Sequence, residues 1–303
     1  MRRSEISVAA SMILALCLSA SCQKVDTGPS PINYFDQSPP HESVELFAPG
    51  VISVPEENEY GGHFSPDGKE FYFTRFKPGT EAQVLSSRFE NNSWSPPRPV
   101  SITNEFPGGE SCISPDGAKF FYTRIIRRPD DRELDIFVSE RSGDDWGLPH
   151  PATEIDLGTR RVCPSVDQNL DLYFSGDFDE PGNNDIYVSR FIDGKYQTPQ
   201  NLGPAINSTS REDHVFVAPD TSYILFDSGR PGGFGGGDIY VSFRMANGTW
   251  GPAKNLGEPF NTDISDWYPI VTPDQNYLIF ARSDSSGIDL YWSSADFLED
   301  LRL

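Results

Sequence analysis

The chain has 303 residues, of which 37% are hydrophobic and 13% aromatic, enough to bury a sizeable core. A formal net charge of −21 excludes the basic face that phosphate backbones require, so no nucleic-acid partner is expected. The same charge repels anionic headgroups, so attachment to a membrane would have to be covalent. The 26 glycines and 26 prolines favour short strands joined by tight turns over long helices.

The N-terminus carries Arg2 and Arg3, then an almost wholly small or apolar run over residues 8–20. That run is short for a membrane span and fits a secretory signal. It ends in Leu18-Ser19-Ala20-Ser21-Cys22, which resembles a bacterial lipoprotein cleavage box. The resemblance implies removal of residues 1–21 and lipidation of Cys22. Ser19 departs from it, since such boxes usually carry leucine there, and the alternative is a plain signal peptide cut near Ser21. Gln23 lacks the aspartate that resembles an inner-membrane retention signal, so the expected location is the outer membrane of a bacterial cell envelope, on its periplasmic or surface face. Residues 22–43, with Pro29, Pro31, Pro39 and Pro40 among polar residues, read as anchor and flexible tether.

Residues 44–303 are organised by a repeat. Ser65-Pro66-Asp67-Gly68 recurs as Ser114-Pro115-Asp116-Gly117, and as Ala218-Pro219-Asp220 and Thr272-Pro273-Asp274 without the glycine. An apolar strand follows each turn, its last aromatic falling at Phe73, Tyr122, Phe174, Phe226 and Phe280, in steps of 49, 52, 52 and 54. The third unit, Pro164 to Asn169, is degenerate and leaves its turn alignment open by a residue or two. A second block reads Asp135-Ile136-Phe137-Val138-Ser139, then Asp185-Ile186-Tyr187-Val188-Ser189, Asp238-Ile239-Tyr240-Val241-Ser242 and Asp289-Leu290-Tyr291-Trp292-Ser293. A third pairs Trp94 with Pro96, Trp146 with Pro149, Tyr196 with Pro199 and Trp250 with Pro252.

Four short antiparallel strands per unit of roughly 50 residues describe a propeller blade. The expected fold is an all-β, five-bladed β-propeller. The fifth unit lacks its aromatic-proline strand, and Val44-Glu45-Leu46-Phe47-Ala48-Pro49 supplies one from the other end of the chain. Docked there as the outer strand of the last blade, it would close the ring.

The Ser-Pro-Asp-Gly turn with its aromatic strand, followed by Asp-Ile-Tyr-Val-Ser, resembles the WD-like repeat of the TolB-type propellers over roughly residues 44–293. The glycine-rich stretch from Ser228 to Asp238 is similar to loops in envelope proteins that join such repeats to a peptidoglycan-binding module. The resemblance implies a propeller and leaves function open, since that family includes periplasmic interaction proteins, propellers fused to peptidases and polysaccharide lyases.

Counting back from each turn places Glu59, Glu212 and Asp266 in equivalent positions, with Arg161 as the third blade's counterpart. His63, Glu110, Asp213, His214, Trp267 and Tyr268 lie within one or two residues of that ring. Such a convergent set at the channel mouth is a candidate ligand site. The competing reading has the acidic residues tying neighbouring blades through backbone hydrogen bonds. Glu59, Glu212 and Asp266 are also the pairs a glycan-degrading hydrolase or lyase would draw on. Against catalysis, the sequence holds no Gly-x-Ser-x-Gly elbow, no His-Glu-x-x-His, no Gly-Lys-Ser/Thr loop and no sialidase box.

No metal or other cofactor is expected: His63 and His214 lack a firm third ligand. Asp177, Asp179, Gly182 and Asp185 imitate a calcium loop, which Pro181 and Val188 spoil. Asp135, Asp185, Asp238 and Asp289 read as turn or strand-start caps. Cys112 and Cys163, on the first strands of neighbouring blades with the same side-chain parity, are candidates for a cross-blade disulfide. The expectation is a non-catalytic module that binds or scaffolds an envelope protein or glycan, with the glycan-degrading enzyme as alternative.

Overall fold

The computed structural model describes residues 32–41, 43–128, 131–153, 160–178, 183–285 and 287–302. The expected signal peptide and Cys22 lie outside them, as do Asp179 and Gly182 of the calcium-loop imitation. No helix among the described residues is long and apolar enough to cross a membrane.

Five antiparallel sheets form the blades of a propeller. Their inner strands are Asn58–Phe64, Gly108–Ile113, Arg161–Val166, Glu212–Val217 and Ser265–Val271. The aromatic strands come second and the Asp-Ile-Tyr strands third. Second-strand residues Phe71, Phe73, Phe120, Phe121, Phe174, Phe226 and Phe280 are fully buried, which explains the apolar repeat. Each buried aromatic of this kind contributes about 1.5–3 kcal/mol, and the five core clusters divide this packing among the blades.

The Pro-Asp turns are built from their own side chains. Ser65 Oγ donates to Asp67 Oδ1 at 2.6 Å and accepts from the Glu70 amide at 2.9 Å. Ser114 and Thr272 do the same. The degenerate third turn is one residue shorter, with Asp167 Oδ1 taking the amides of Asn169 and Asp171 at 2.8 and 3.0 Å.

The ring closes as expected, with Glu45–Leu46 pairing antiparallel to Gly287–Ser294 in the register Glu45↔Trp292 and Leu46↔Tyr291. Phe47 is fully buried and its amide donates to the Leu290 carbonyl at 2.8 Å. One detail differs from the sequence reading. The aromatic-proline block is a return hairpin, and the outer strand lies beyond its proline, at Arg98–Pro99, His150–Pro151, Gln200–Asn201 and Lys254–Asn255.

Residues 32–37, within the segment expected to act as tether, pack on the ring. Tyr34 is buried among Phe64, Tyr277 and Trp292, and its hydroxyl donates to Asp274 Oδ2 at 2.6 Å. Phe35 stacks on Trp94 with centroids 4.3 Å apart. Both rings lie across the junction of the first and last blades, so the closure is held by side chains as well as by the added strand.

Candidate functional site at the channel axis

The residues singled out in the sequence fall into two layers. In the first, Glu59, Glu212 and Asp266 are each 0% exposed and held by an arginine. Arg75 Nε donates to Glu59 Oε1 at 2.8 Å, Arg230 Nη2 to Glu212 Oε1 at 3.1 Å and Arg282 Nε to Asp266 Oδ1 at 2.5 Å. The same arginines reach carbonyls in the loop entering the blade: Ile52, Ile206 and the Pro259-Phe260 pair. Ser208 and Thr262 complete Glu212 and Asp266 through backbone amides at 2.7 and 2.8 Å and through their hydroxyls. Glu59 has no such hydroxyl, its Oε2 lacks a partner, and burial pushes its carboxyl up to about 7 against the pull of Arg75. In the third blade Arg161 reverses the charge, with Nε 2.7 Å from Asp135 Oδ1 of the second blade. These groups lock loops and blades together by side-chain ion pairs, and none is open to the channel.

Of the aspartates read as caps, Asp135 and Asp238 take nearby backbone amides, whereas Asp185 accepts from the side chain of Asn201. Asp135 caps its own strand and meets Arg161, Asp185 accepts from Asn201 at 2.7 Å, and Asp238 takes the amides of Phe234 and Gly235. Gly235 is obligatory there, because a Cβ would sit 1.6 Å from the Ile264 carbonyl oxygen.

Two residues further along, every inner strand breaks register in a bulge. The bulge residues are Gly61, Glu110, Cys163, His214 and Tyr268, all left-handed, with φ of 64°, 51°, 57°, 48° and 57°. Only the first is a glycine; for the other four this backbone is strained. The preceding blade supports three of them: the amides of Glu110, Cys163 and Tyr268 donate to Thr74 Oγ1 at 3.2 Å, Thr123 Oγ1 at 3.0 Å and Asp227 Oδ1 at 3.3 Å.

The bulge turns these side chains into one group. Ligand atoms of Glu110, Cys163 and His214 lie within 4.8 Å of one another. His214 Nδ1 is 2.7 Å from Asp227 Oδ1, and its ring packs on Trp267 and Tyr268 at 5.0 and 4.7 Å. Burial opposes charging of this imidazole, but Asp227, Asp213 and Glu110 outweigh it and raise its pKa. Burial also pushes the Cys163 thiol well up, reinforced by Glu110 and Asp213. Tyr268 lies toward the first blade, where a Cβ on Gly61 would come 3.1 Å from its ring. Asp213 is sealed by Asn184 at 2.7 Å and Arg211 at 3.2 Å, and Trp267 Nε1 donates to Ser283 Oγ at 3.0 Å.

The expected disulfide does not form: Cys112 and Cys163 are free thiols. Cys163 is itself the bulge residue, whereas Cys112 lies two places beyond its blade's bulge at Glu110, so the left-handed turn defeats the parity argument. Cys112 instead belongs with His63, Ser165, Phe216 and Ile270, one from each blade, around a cavity of about 350 Å3. Pro66, Pro115, Pro219 and Pro273 of the Pro-Asp turns rim it. His63 is buried there with Nε2 unpartnered, and burial lowers its pKa to about 4.

No protein-family model and no curated protein matches the sequence. Solved structures do resemble the fold. TolB from Acinetobacter baumannii superposes with a TM-score of 0.51 at 17% identity, over 79% of this chain and 52% of that one, so the chain spans about half the length of TolB. An endo-arabinase from Bacteroides thetaiotaomicron gives 0.52 at 14% identity, over 85% and 97%. At these identities the likeness is one of fold.

Proposed function

We propose that the chain is a lipid-anchored propeller of the bacterial cell envelope that binds a protein partner at its Pro-Asp mouth, without chemistry of its own. The observation that carries this reading is the cavity of about 350 Å3, to which all five blades contribute equivalent positions. Its walls are largely apolar, with Phe216, Ile270 and Val271 alongside His63 and Cys112, and it fits an aromatic or aliphatic anchor side chain of a partner. The TolB-type repeat and the lipoprotein-like box ending in Cys22 support an envelope setting.

The glycan-degrading alternative would employ Glu59, Glu212 and Asp266, which are shut from solvent and bound to arginines. A photo-crosslinking residue at the exposed rim position Gln275 should trap one dominant protein in intact cells. The same probe at Leu148, away from the cavity and 78% exposed, should not. Phe216→Asp should abolish the adduct. Equal trapping at both positions, or product released from a polysaccharide panel by the wild-type chain, would overturn the reading.

A further inference from the structure

Independently of that reading, we propose that Glu110, Cys163 and His214 form a binding centre for a zinc-class divalent cation on the propeller axis. The three occupy the same bulge position in three consecutive blades, and among the described residues theirs is the one group of three such ligands close enough to share an ion. Tetrahedral zinc, with bonds of about 2.0–2.3 Å, sets its ligands about 3.3–3.8 Å apart. The observed limit of 4.8 Å therefore calls for roughly 1 Å of closure, within reach of a rotamer change in the half-buried Glu110.

The donor chemistry selects the ion. Thiolate, imidazole and carboxylate together suit zinc and its neighbours, whereas magnesium and calcium prefer oxygen alone. Two further features point the same way. His214 engages Asp227 through Nδ1, leaving Nε2 as its ligand atom, which is how a carboxylate orients a metal-binding imidazole. Glu110 Oε2 is buried without a hydrogen-bond partner, a cost that a cation would remove. The left-handed backbone that aims these bulky side chains is itself costly where the first blade uses Gly61. On binding, a metal–sulfur bond replaces the Cys163 S–H bond, and the proton leaves to solvent. Three protein ligands leave a fourth position for water.

The full chain, stripped of metal by chelation, would be titrated with cobalt(II) as probe. One equivalent should bind with thiolate-to-cobalt charge-transfer absorption and be displaced by zinc. Cys163→Ser should abolish that absorption, and Asp227→Asn should weaken binding by about 10–100-fold. Glu110→Gly, which suits the left-handed backbone and should keep the fold, should also weaken it. A folded wild-type chain without this absorption, or absorption that survives Cys163→Ser and so comes from another cysteine, would overturn the proposal.

Discussion

Two rings of side chains encircle the axis only two residues apart in each inner strand, and they have opposite characters. Glu59, Arg161, Glu212 and Asp266 are paired with opposite charges, and Glu212 and Asp266 are further closed off by amides and hydroxyls, while Glu59 Oε2 is left without a partner. Glu110, Cys163, His214 and Tyr268 sit on strained backbone, and Glu110 keeps a buried oxygen without a partner. Ion pairing explains the first ring as architecture, since each pair ties the entry of a blade to its body or to a neighbour. Backbone strain is what a fold tolerates where the position serves something else. Type of residue does not separate the rings, as both hold acidic groups; the backbone at each position does.

If the first ring is structural, removing one of its arginines should have the greatest cost. Arg282→Met leaves Asp266 buried without its cation and should cost about 3–5 kcal/mol in denaturant unfolding, with most of it recovered by adding Asp266→Leu. A loss under 1 kcal/mol would mean the pair is not what holds the entry loop. The next effect tests the cavity beyond the bulges. His63 is held neutral in the fold, with its pKa lowered from 6.5 to about 4 by burial, beside Tyr72 and the Gly61 carbonyl. Between those values the unfolded chain takes up a proton that the fold refuses. Stability should therefore be fully retained above pH 6.5 and fall by about 3 kcal/mol as pH drops to 4. His63→Gln should remove that part of the slope, and identical pH profiles for the two proteins would show the ring is not desolvated. Thr123→Val takes the acceptor from the Cys163 amide and should cost about 1–3 kcal/mol, measured the same way.

Much of the propeller was legible because its signals are local. Pro-Asp turns with a serine or threonine cap, aromatic second strands and the Asp-Ile-Tyr strand each encode their own geometry, and Glu45–Leu46 could be matched to the vacancy in the last blade. The packing of Tyr34 and Phe35 was hidden by the prolines and polar residues around them, because two aromatics in such a segment carry no periodicity. The bulge was hidden for a sharper reason. Left-handed backbone is announced by glycine, and only Gly61 announces it; Glu110, Cys163 and Tyr268 adopt it with their amides held by the preceding blade, and His214 adopts it packed against Trp267 and Tyr268 of the next. The equivalence of Glu59, Glu212, Asp266 and Arg161 was therefore readable by counting back from the turns. The meeting of Cys163 with Glu110 and His214, and the separation of Cys163 from Cys112, were not.

The smallest expected effect sharpens the contrast most. Glu110→Gly places in the second blade the residue that the first blade already has at Gly61, and its amide keeps the bond to Thr74 Oγ1. Relief of the left-handed strain offsets the greater freedom of glycine in the unfolded chain, so stability should stay level or rise by up to about 1 kcal/mol. The reverse change, Gly61→Ala, puts a Cβ 3.1 Å from the Tyr268 ring at φ +64° and should lower stability by about 1 kcal/mol or more. If both changes destabilise equally by thermal melting, the glutamate is part of the architecture and the two rings do not differ in kind. If only the second does, the fold carries Glu110 at its own expense, and the reason has to be sought in what the axis binds.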